Sequence, residues 1–154
     1  MNVKLSLTGV KEIDRVLKAM PQAITHNVLA AAHAAAARPL VEKAKLLAPE
    51  GPTGNLIDSI GTIKTPMKKA GSIGEVAVGP RRRRPYKGHH GHLIEYGHWT
   101  RRGKNKKSTG KDRFIEGKPF MKPAFEATKQ LVINNITTEL GKKLYSTMKR
   151  YIKK

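Results

Sequence analysis

The chain has 154 residues, enough for one domain spanning 1–154 with a sizeable buried core. It holds 31 Lys and Arg against 11 Asp and Glu, and the resulting formal net charge of +20 is high for a soluble enzyme of this size. Such an excess favours a polyanionic partner or acidic neighbours in an assembly. The absence of cysteine excludes disulfides and thiolate metal sites.

Neither a targeting segment nor a membrane span is indicated. The N-terminal stretch MNVKLSLTGVKEIDRVL lacks an apolar core followed by a small-residue cleavage site. No uncharged apolar run approaches the roughly 18 residues that a bilayer-spanning helix needs. We therefore expect a soluble protein that is made in a cytoplasm and has no membrane contact.

The first elements follow a strand pattern and then helical patterns. Apolar and polar residues alternate over 3–8, which predicts a short half-buried strand. Helical spacing of apolar residues follows over 10–20. The alanine-rich stretch 22–48 predicts a further helix that Pro39 kinks or splits in two, because an internal proline removes a hydrogen bond and clashes with the preceding turn.

A turn, a short helix and two strands are predicted next. In the turn Glu50–Asn55, Thr53 is the expected N-cap of a short helix over 55–60. Strands are then predicted over 61–65 and 75–78, with a turn between them.

A segment dense in Gly, Lys and Arg follows over about 80–118, and it is too long for a plain connection. We expect an extended basic loop in which only His92–Gly97 has the apolar character of an ordered element. The last element runs from about 119 to 152, where apolar residues trace one stripe of a long helix.

These elements predict an α+β fold: a small, mostly antiparallel sheet packed against the kinked alanine-rich helix and the long C-terminal helix, with a long basic loop. The apolar positions of the helices and strands then form the core. The side chains expected to be largely buried are Leu29, Leu40, Val41, Leu47, Ile60, Val76, Phe125, Val132, Ile136 and Leu140.

Four histidines and a glutamate lie close together in the sequence: His89, His90, His92, Glu95 and His98. Imidazole and carboxylate donors suit zinc or manganese, so a metal-dependent nuclease is one hypothesis. However, a nuclease normally uses several carboxylates, and no acidic pair lies near this cluster. No Ser-His-Asp or phosphate-loop motif occurs either. We therefore expect a non-enzymatic protein without metal or cofactor and interpret the histidines as loop residues.

Electrostatics favour a contact surface in the same region. Residues 81–113 contain twelve Lys or Arg against only Glu95 and Asp112, so half of the net charge lies in about a fifth of the chain. Basic side chains along a glycine-rich loop suit phosphates or an acidic protein surface, while a solvated charged loop is the alternative. Aromatic residues there can stack on bases or form part of a protein interface. The residues predicted to contact DNA or a partner are Arg81, Arg82, Arg83, Arg84, Lys87, Trp99, Arg101, Arg102, Lys104, Lys106 and Lys107.

Five short motifs occur in order along the chain. They are ARPLVEKAKLLAP (37–49), TGNLIDSI (53–60), VGP (78–80), LIEYG (93–97) and KPFMKPAF (118–125). In this order they resemble the head–tail joining, or tail-completion, family of long-tailed bacteriophages, and they cover most of 37–125. Two departures from the family pattern are the arginine run after VGP and the long basic stretch after EYG.

The resemblance implies that most motif residues determine the fold and do not act chemically. Prolines and glycines end helices and permit turns, and Phe120 and Phe125 are expected to pin the first turn of the last helix to the core. Glu95 and Tyr96 are interpreted as a polar pair that fixes a bend. The fold-determining residues are Pro49, Thr53, Gly54, Leu56, Glu95, Tyr96, Gly97, Pro119, Phe120 and Pro123.

The resemblance further implies a structural virion protein of the phage neck, made in the host cytoplasm. Such a protein forms a homo-oligomeric ring, expected here to have about six copies. The ring terminates the tail tube and joins it to the head-closure or connector protein, while genome DNA passes through. The basic loop then meets DNA or an acidic neighbour. A basic, sequence-independent nucleic-acid-binding protein is the alternative, and a histidine-based nuclease comes third.

Overall fold

The computed structural model describes Lys18 and residues 20–65, 74–100 and 113–152. The predicted N-terminal strand and almost all of the predicted first helix lie outside these residues. In chain order the elements are α1 (Gln22–Ala36), α2 (Arg38–Leu47), α3 (Asn55–Ser59), β1 (Ile60–Lys64), β2 (Val76–Pro80), a 3₁₀ turn (Gly88–His90), α4 (Gly91–Tyr96), β3 (His98–Trp99), β4 (Phe114–Ile115) and α5 (Met121–Ile152). The α+β class and the long C-terminal helix are confirmed.

The alanine-rich stretch is divided into two helices, as Pro39 predicts. α1 ends at Ala36, and the N–H of Ala37 donates to the His33 carbonyl at 3.0 Å before α2 begins at Arg38. Pro39 lies in the first turn of α2, where a missing N–H removes no helical hydrogen bond.

The N-cap predicted at Thr53 is wrong. Gly54 occupies the N-cap position of α3 with a φ of 62°, and no side chain caps the helix. The Thr53 hydroxyl instead accepts a 2.8 Å hydrogen bond from the side-chain amide of Asn55. α3 ends at Ser59, and the chain continues directly into β1.

Two small two-stranded sheets are present among the described residues. In the first, β1 pairs with β2, and the flanking backbone bonds show an antiparallel register: Arg81 N–H donates to Ser59, and Thr65 N–H donates to Glu75. In the second, β3 and β4 are antiparallel, with Trp99 opposite Phe114. The strands predicted over 61–65 and 75–78 are confirmed, with shifts of one or two residues at their ends.

The segment predicted as a long basic loop contains regular structure. Its described part holds the 3₁₀ turn, α4 and the short ribbon formed by β3 and β4. Residues 101–112 lie outside the described residues.

By its internal contacts the chain divides into two compact units. The first comprises the described residues of Met1–Ala37, Lys64–Ala77 and Val132–Lys154, and the second those of Arg38–Ile63 and Val78–Leu131. Buried apolar side chains of the first unit are mostly small: Val28, Ala30, Ala32, Ala36, Ala37 and Leu144.

The second unit has two buried series at four-residue spacing, which places each series on one helix face. Leu40, Ala44 and Ala48 form the series of α2, while Phe120, Ala124 and Thr128 form the series at the start of α5. Leu56 and Ile60 are buried in the same unit, and both Phe120 and Ile60 are 0% exposed.

The burial predictions are confirmed for Leu40 and Ile60 but are wrong for Leu47 and Phe125, which are 39% and 51% exposed. In each wrong case the residue beside it, Ala48 or Ala124, faces the core instead. The other six predicted core residues are only half-buried: Leu29, Val41, Val76, Val132, Ile136 and Leu140. Among the described residues, no helix is sufficiently long and apolar to span a membrane.

Two phenylalanines five residues apart allow a matched test of this core. We expect Phe120→Ala to lower the free energy of unfolding by about 3–5 kcal/mol, because it empties a fully buried site. Phe125→Ala removes a side chain that is half in solvent and should cost less than about 1 kcal/mol. Urea denaturation of both variants measures the difference, and equal losses would contradict the orientation of α5.

Candidate functional site: the helix latch and the basic-aromatic surface

Glu95 holds the start of the long helix. Its carboxylate is buried, with the residue 8% exposed, and it accepts three backbone hydrogen bonds. Oε2 accepts from the N–H groups of Phe120 and Met121 at 2.8 and 3.0 Å, and Oε1 accepts from that of Lys122 at 3.2 Å. The first N–H groups of a helix have no partner within the helix, and its N-terminus favours negative charge. Glu95 therefore caps α5 from 25 residues away in sequence.

The neighbouring backbone reinforces this helix latch, by which we mean Glu95 with the N-terminal N–H groups of α5. The N–H of Lys118 donates to the Ile94 carbonyl at 2.7 Å. Gly97 has a φ of 77°, and a Cβ there would lie 2.6 Å from the Ile115 carbonyl oxygen. A larger residue at 97 would therefore be strained and would clash with the returning chain. Tyr96, in contrast, is 79% exposed.

A small open cleft of about 280 Å³ lies beside the latch. Its lining residues are Val78, Gly79, Pro80, Arg82, Gly88, Gly91, His92, Glu95, Tyr96, Phe120 and Met121. The cleft offers a cationic side chain, an imidazole and an aromatic ring above an apolar floor. The carboxylate in its lining, that of Glu95, already accepts three hydrogen bonds.

Arg81 differs from the arginines that follow it. Its Nε donates to the Ser59 carbonyl at 3.0 Å and its Nη2 to the Asp58 carbonyl at 3.3 Å. The guanidinium carbon also lies 3.4 Å from the centre of the Tyr86 ring, in cation–π geometry. Arg81 is therefore tied into the end of α3 and does not present its charge as the predicted contact residues do.

The remaining described basic residues of the predicted contact set lie on the surface. Arg82, Arg83, Arg84 and Lys87 are all exposed. The other basic residues predicted to contact a partner, Arg101, Arg102, Lys104, Lys106 and Lys107, lie outside the described residues.

Trp99 is exposed on the β3–β4 ribbon and has an aromatic neighbour that the sequence analysis missed. Trp99 is 61% and Phe114 43% exposed. They are cross-strand partners with ring centres 5.3 Å apart, a favourable aromatic geometry. We use the name basic-aromatic surface for two exposed groups of side chains: Arg82, Arg83, Arg84 and Lys87 after β2, and Trp99 with Phe114 on the ribbon.

The histidine cluster does not assemble as a metal site. Among the described residues, no group of three His, Cys, Asp or Glu side chains is placed to hold a metal ion. His89 and His90 make an edge-to-face ring contact at 5.4 Å, and Glu95 is engaged by the helix. The Nδ1 atom of His98 is buried without a hydrogen-bond partner in the described part of the chain, and nothing in the structure explains it.

The sequence contains only a partial signal for these features. A glutamate followed by Tyr-Gly, and Pro-Phe 24 residues later, marks both ends of the latch but does not show that they meet. Arg81 is indistinguishable by sequence from the three arginines after it. Phe114 could have been predicted as a contact residue, because it is an aromatic residue within the basic segment, as Trp99 is.

The family comparison gives one match. The model of the HK97-gp10-like family, described as "Bacteriophage HK97-gp10, putative tail-component", matches residues 11–97. The matched segment is more than half of the chain and ends at Gly97, so it includes Glu95 and the exposed arginines. No curated protein and no solved structure matches the chain significantly.

The helix latch predicts a loss of stability on removing the Glu95 carboxylate. Glu95→Ala leaves three buried or half-buried N–H groups without their charged acceptor and should cost about 3 kcal/mol. Glu95→Gln keeps an acceptor oxygen and should cost about half as much. Glu116→Ala, which removes an exposed carboxylate of the same unit, is the matched control. Urea denaturation measures all three, and a Glu95→Ala variant as stable as the control would contradict the latch.

The different surroundings of Arg81 and Arg83 predict different losses of stability when each is replaced by alanine. Arg81→Ala removes two hydrogen bonds to carbonyls and a ring contact and should lower the free energy of unfolding by about 2 kcal/mol. Arg83→Ala removes an exposed charge and should change it by less than about 0.5 kcal/mol. Thermal and urea unfolding distinguish the two, and equal effects would show that Arg81 is not a structural residue.

Proposed function

The chain belongs to the HK97-gp10-like family of phage tail components, and from that premise we propose that it is a ring subunit of the phage neck. In this proposal about six copies close into a ring. The ring terminates the tail tube, joins it to the head-closure or connector protein, and lets genome DNA pass through. The subunit is non-enzymatic and acts by holding its neighbours in place.

The family match is the observation that carries the proposal. A tail component is a structural protein of the virion, and its partners are other tail-associated proteins. The order of the five sequence motifs supports the more specific neck position, because it resembles the pattern of tail-completion proteins. The latch gives the buried carboxylate of the LIEYG motif a structural role, the capping of α5, as expected of a structural protein.

The basic-aromatic surface suggests how the subunit contacts its neighbours. Closing a ring repeats Arg82, Arg83, Arg84 and Lys87 in every copy, so their mutual repulsion needs a compensating negative partner. DNA phosphates or an acidic protein surface can provide it. Trp99 and Phe114 favour a protein as the partner of the ribbon. In double-stranded DNA the bases are stacked inside the duplex, so exposed aromatic rings cannot stack on them.

A sequence-independent nucleic-acid-binding protein is the second candidate. The observation that favours it is the net charge of +20, since phosphate contacts need only accessible basic side chains. The two candidates differ in assembly: the neck subunit forms a discrete ring without DNA, while the alternative binds DNA as a monomer or dimer.

We expect the purified chain to form one discrete oligomer, measurable by light scattering and visible as rings by negative-stain electron microscopy. In infections by a phage that lacks this gene, heads and tails should accumulate separately, and the wild-type chain should restore their joining. Arg83→Glu/Arg84→Glu should form rings but fail to restore joining, because it reverses charge on the contact surface. Arg38→Glu/Lys64→Glu changes the charge equally at exposed sites outside that surface and should restore joining.

DNA binding measured against salt separates the candidates. A contact with DNA should weaken linearly in log–log form, with a slope of about 0.9 per phosphate neutralised. A chain that stays a monomer or dimer, binds DNA with this steep salt dependence and is dispensable for joining would replace the neck proposal with the nucleic-acid-binding alternative.

A further inference from the structure

Two histidines of α1 hold both backbone polar groups of one glycine. The N–H of Gly74 donates to Nδ1 of His26 at 3.0 Å, and Nδ1 of His33 is 2.8 Å from the carbonyl oxygen of Gly74. All three residues belong to the first compact unit. Neither histidine belongs to the cluster at 89–98 or to the basic-aromatic surface, and the proposed function does not involve them.

The fit of Gly74 against α1 is close. The two histidines are seven residues apart, about two helical turns, so they lie on the same face of α1. Between them, Leu29 and Ala30 lie directly against Gly74, where an added Cβ would come within 3.0 Å of the Ala30 nitrogen and would clash with Leu29. Gly74 also has a φ of 72°. Only a glycine can therefore sit between the two imidazoles in this conformation.

The chemistry of the partner atoms determines where the protons are. A backbone N–H can only donate, so Nδ1 of His26 must be the unprotonated acceptor and the ring must be neutral, with its proton on Nε2. A carbonyl oxygen can only accept, so Nδ1 of His33 must carry a proton. Protonating His33 therefore keeps its hydrogen bond, whereas protonating His26 at Nδ1 places two donors against each other.

We propose that His26 and His33 form a proton-operated clasp. At neutral pH it holds Gly74, which precedes β2, against α1. When His26 is protonated, the clasp releases the Gly74 N–H. The release is one-sided, because the proton on Nδ1 of His33 continues to donate to the Gly74 carbonyl. Among ordinary side chains, imidazole is the one that exchanges its proton between about pH 5 and 8. The inference does not rest on the neck assignment.

The clasp acts on the end of the β1–β2 sheet. Glu75 follows Gly74, and its carbonyl accepts the Thr65 N–H at 3.1 Å, the outermost described bond of that pairing. Releasing Gly74 therefore loosens the position of this strand end relative to α1, while the bonds nearer Pro80 stay in place.

Two described charged residues lie near the clasp: Glu75 directly follows Gly74, and Lys64 lies at the paired end of β1. Both are exposed, and neither histidine makes an ion pair with a described residue.

Amide hydrogen exchange of Gly74, followed by NMR at pH 7.5 and pH 5.0 and corrected for the intrinsic rate at each pH, tests the clasp. In the wild-type chain we expect the corrected exchange rate to rise about fivefold at pH 5.0, the equivalent of one ordinary hydrogen bond. An unchanged corrected rate would overturn the proposal.

Two asparagine variants provide matched controls, because the asparagine side chain places an oxygen or nitrogen where Nδ1 of histidine lies. His26→Asn offers a non-titrating acceptor to the Gly74 N–H and should abolish the pH response. His33→Asn offers a non-titrating donor to the carbonyl and should keep it. A response that survives in His26→Asn, or disappears in His33→Asn, would assign the effect to a different group.

The imidazole nitrogens of the wild-type chain provide a check that needs no variant. Long-range proton–nitrogen NMR spectra at neutral pH should show Nδ1 unprotonated in His26 and protonated in His33. Finding the same tautomer in both rings, or the opposite assignment, would contradict the clasp even if a variant failed to fold.

Discussion

The carboxylate of Glu95 is the interaction on which the second unit depends. It lies on α4, yet it provides the first turn of α5 with three hydrogen bonds that a helix cannot make for itself. Because the donors are the N–H groups of Phe120, Met121 and Lys122, the latch also determines which way α5 begins. Phe120 is then directed into the core, and the series of Ala124 and Thr128 follows at helical spacing.

The latch also explains why the ribbon stays close to the helix. The chain leaves α4 at Gly97, runs through β3, and returns through β4 to Lys118, whose N–H bonds back to Ile94. The two ends of this excursion are thus held together by backbone and carboxylate bonds. Between them, the ribbon presents the exposed rings of Trp99 and Phe114.

Much of the fold was predictable because it depends on local chemistry. Pro39 predicted the break between α1 and α2, and the apolar stripe predicted the long last helix. Phe125 was assigned to the core wrongly, since a stripe of mixed apolar residues does not reveal which side of it faces inward. That orientation comes from the latch, which is a contact between residues 25 positions apart. The N-cap predicted at Thr53 was a similar error. A hydroxyl side chain is a common helix cap, but Gly54, with a positive φ, occupies the N-cap position.

The residue types of the candidate site were predictable from the sequence, but the different roles of its individual residues were not. The arginine run at 81–84 reads as uniform, yet Arg81 meets the carbonyls of Asp58 and Ser59 while its three neighbours face solvent. Likewise, nothing in the local sequence marks His26 and His33, because their common partner Gly74 is more than 40 residues away.

These two cases share a physical reason. A polar side chain serves the fold when a backbone group lies within its reach, and only the three-dimensional arrangement decides that. Arg81 directly follows the end of β2 and lies within reach of two backbone carbonyls. The three arginines after it are exposed to solvent. A structural arginine and solvent-exposed arginines can therefore stand at adjacent positions of one basic segment.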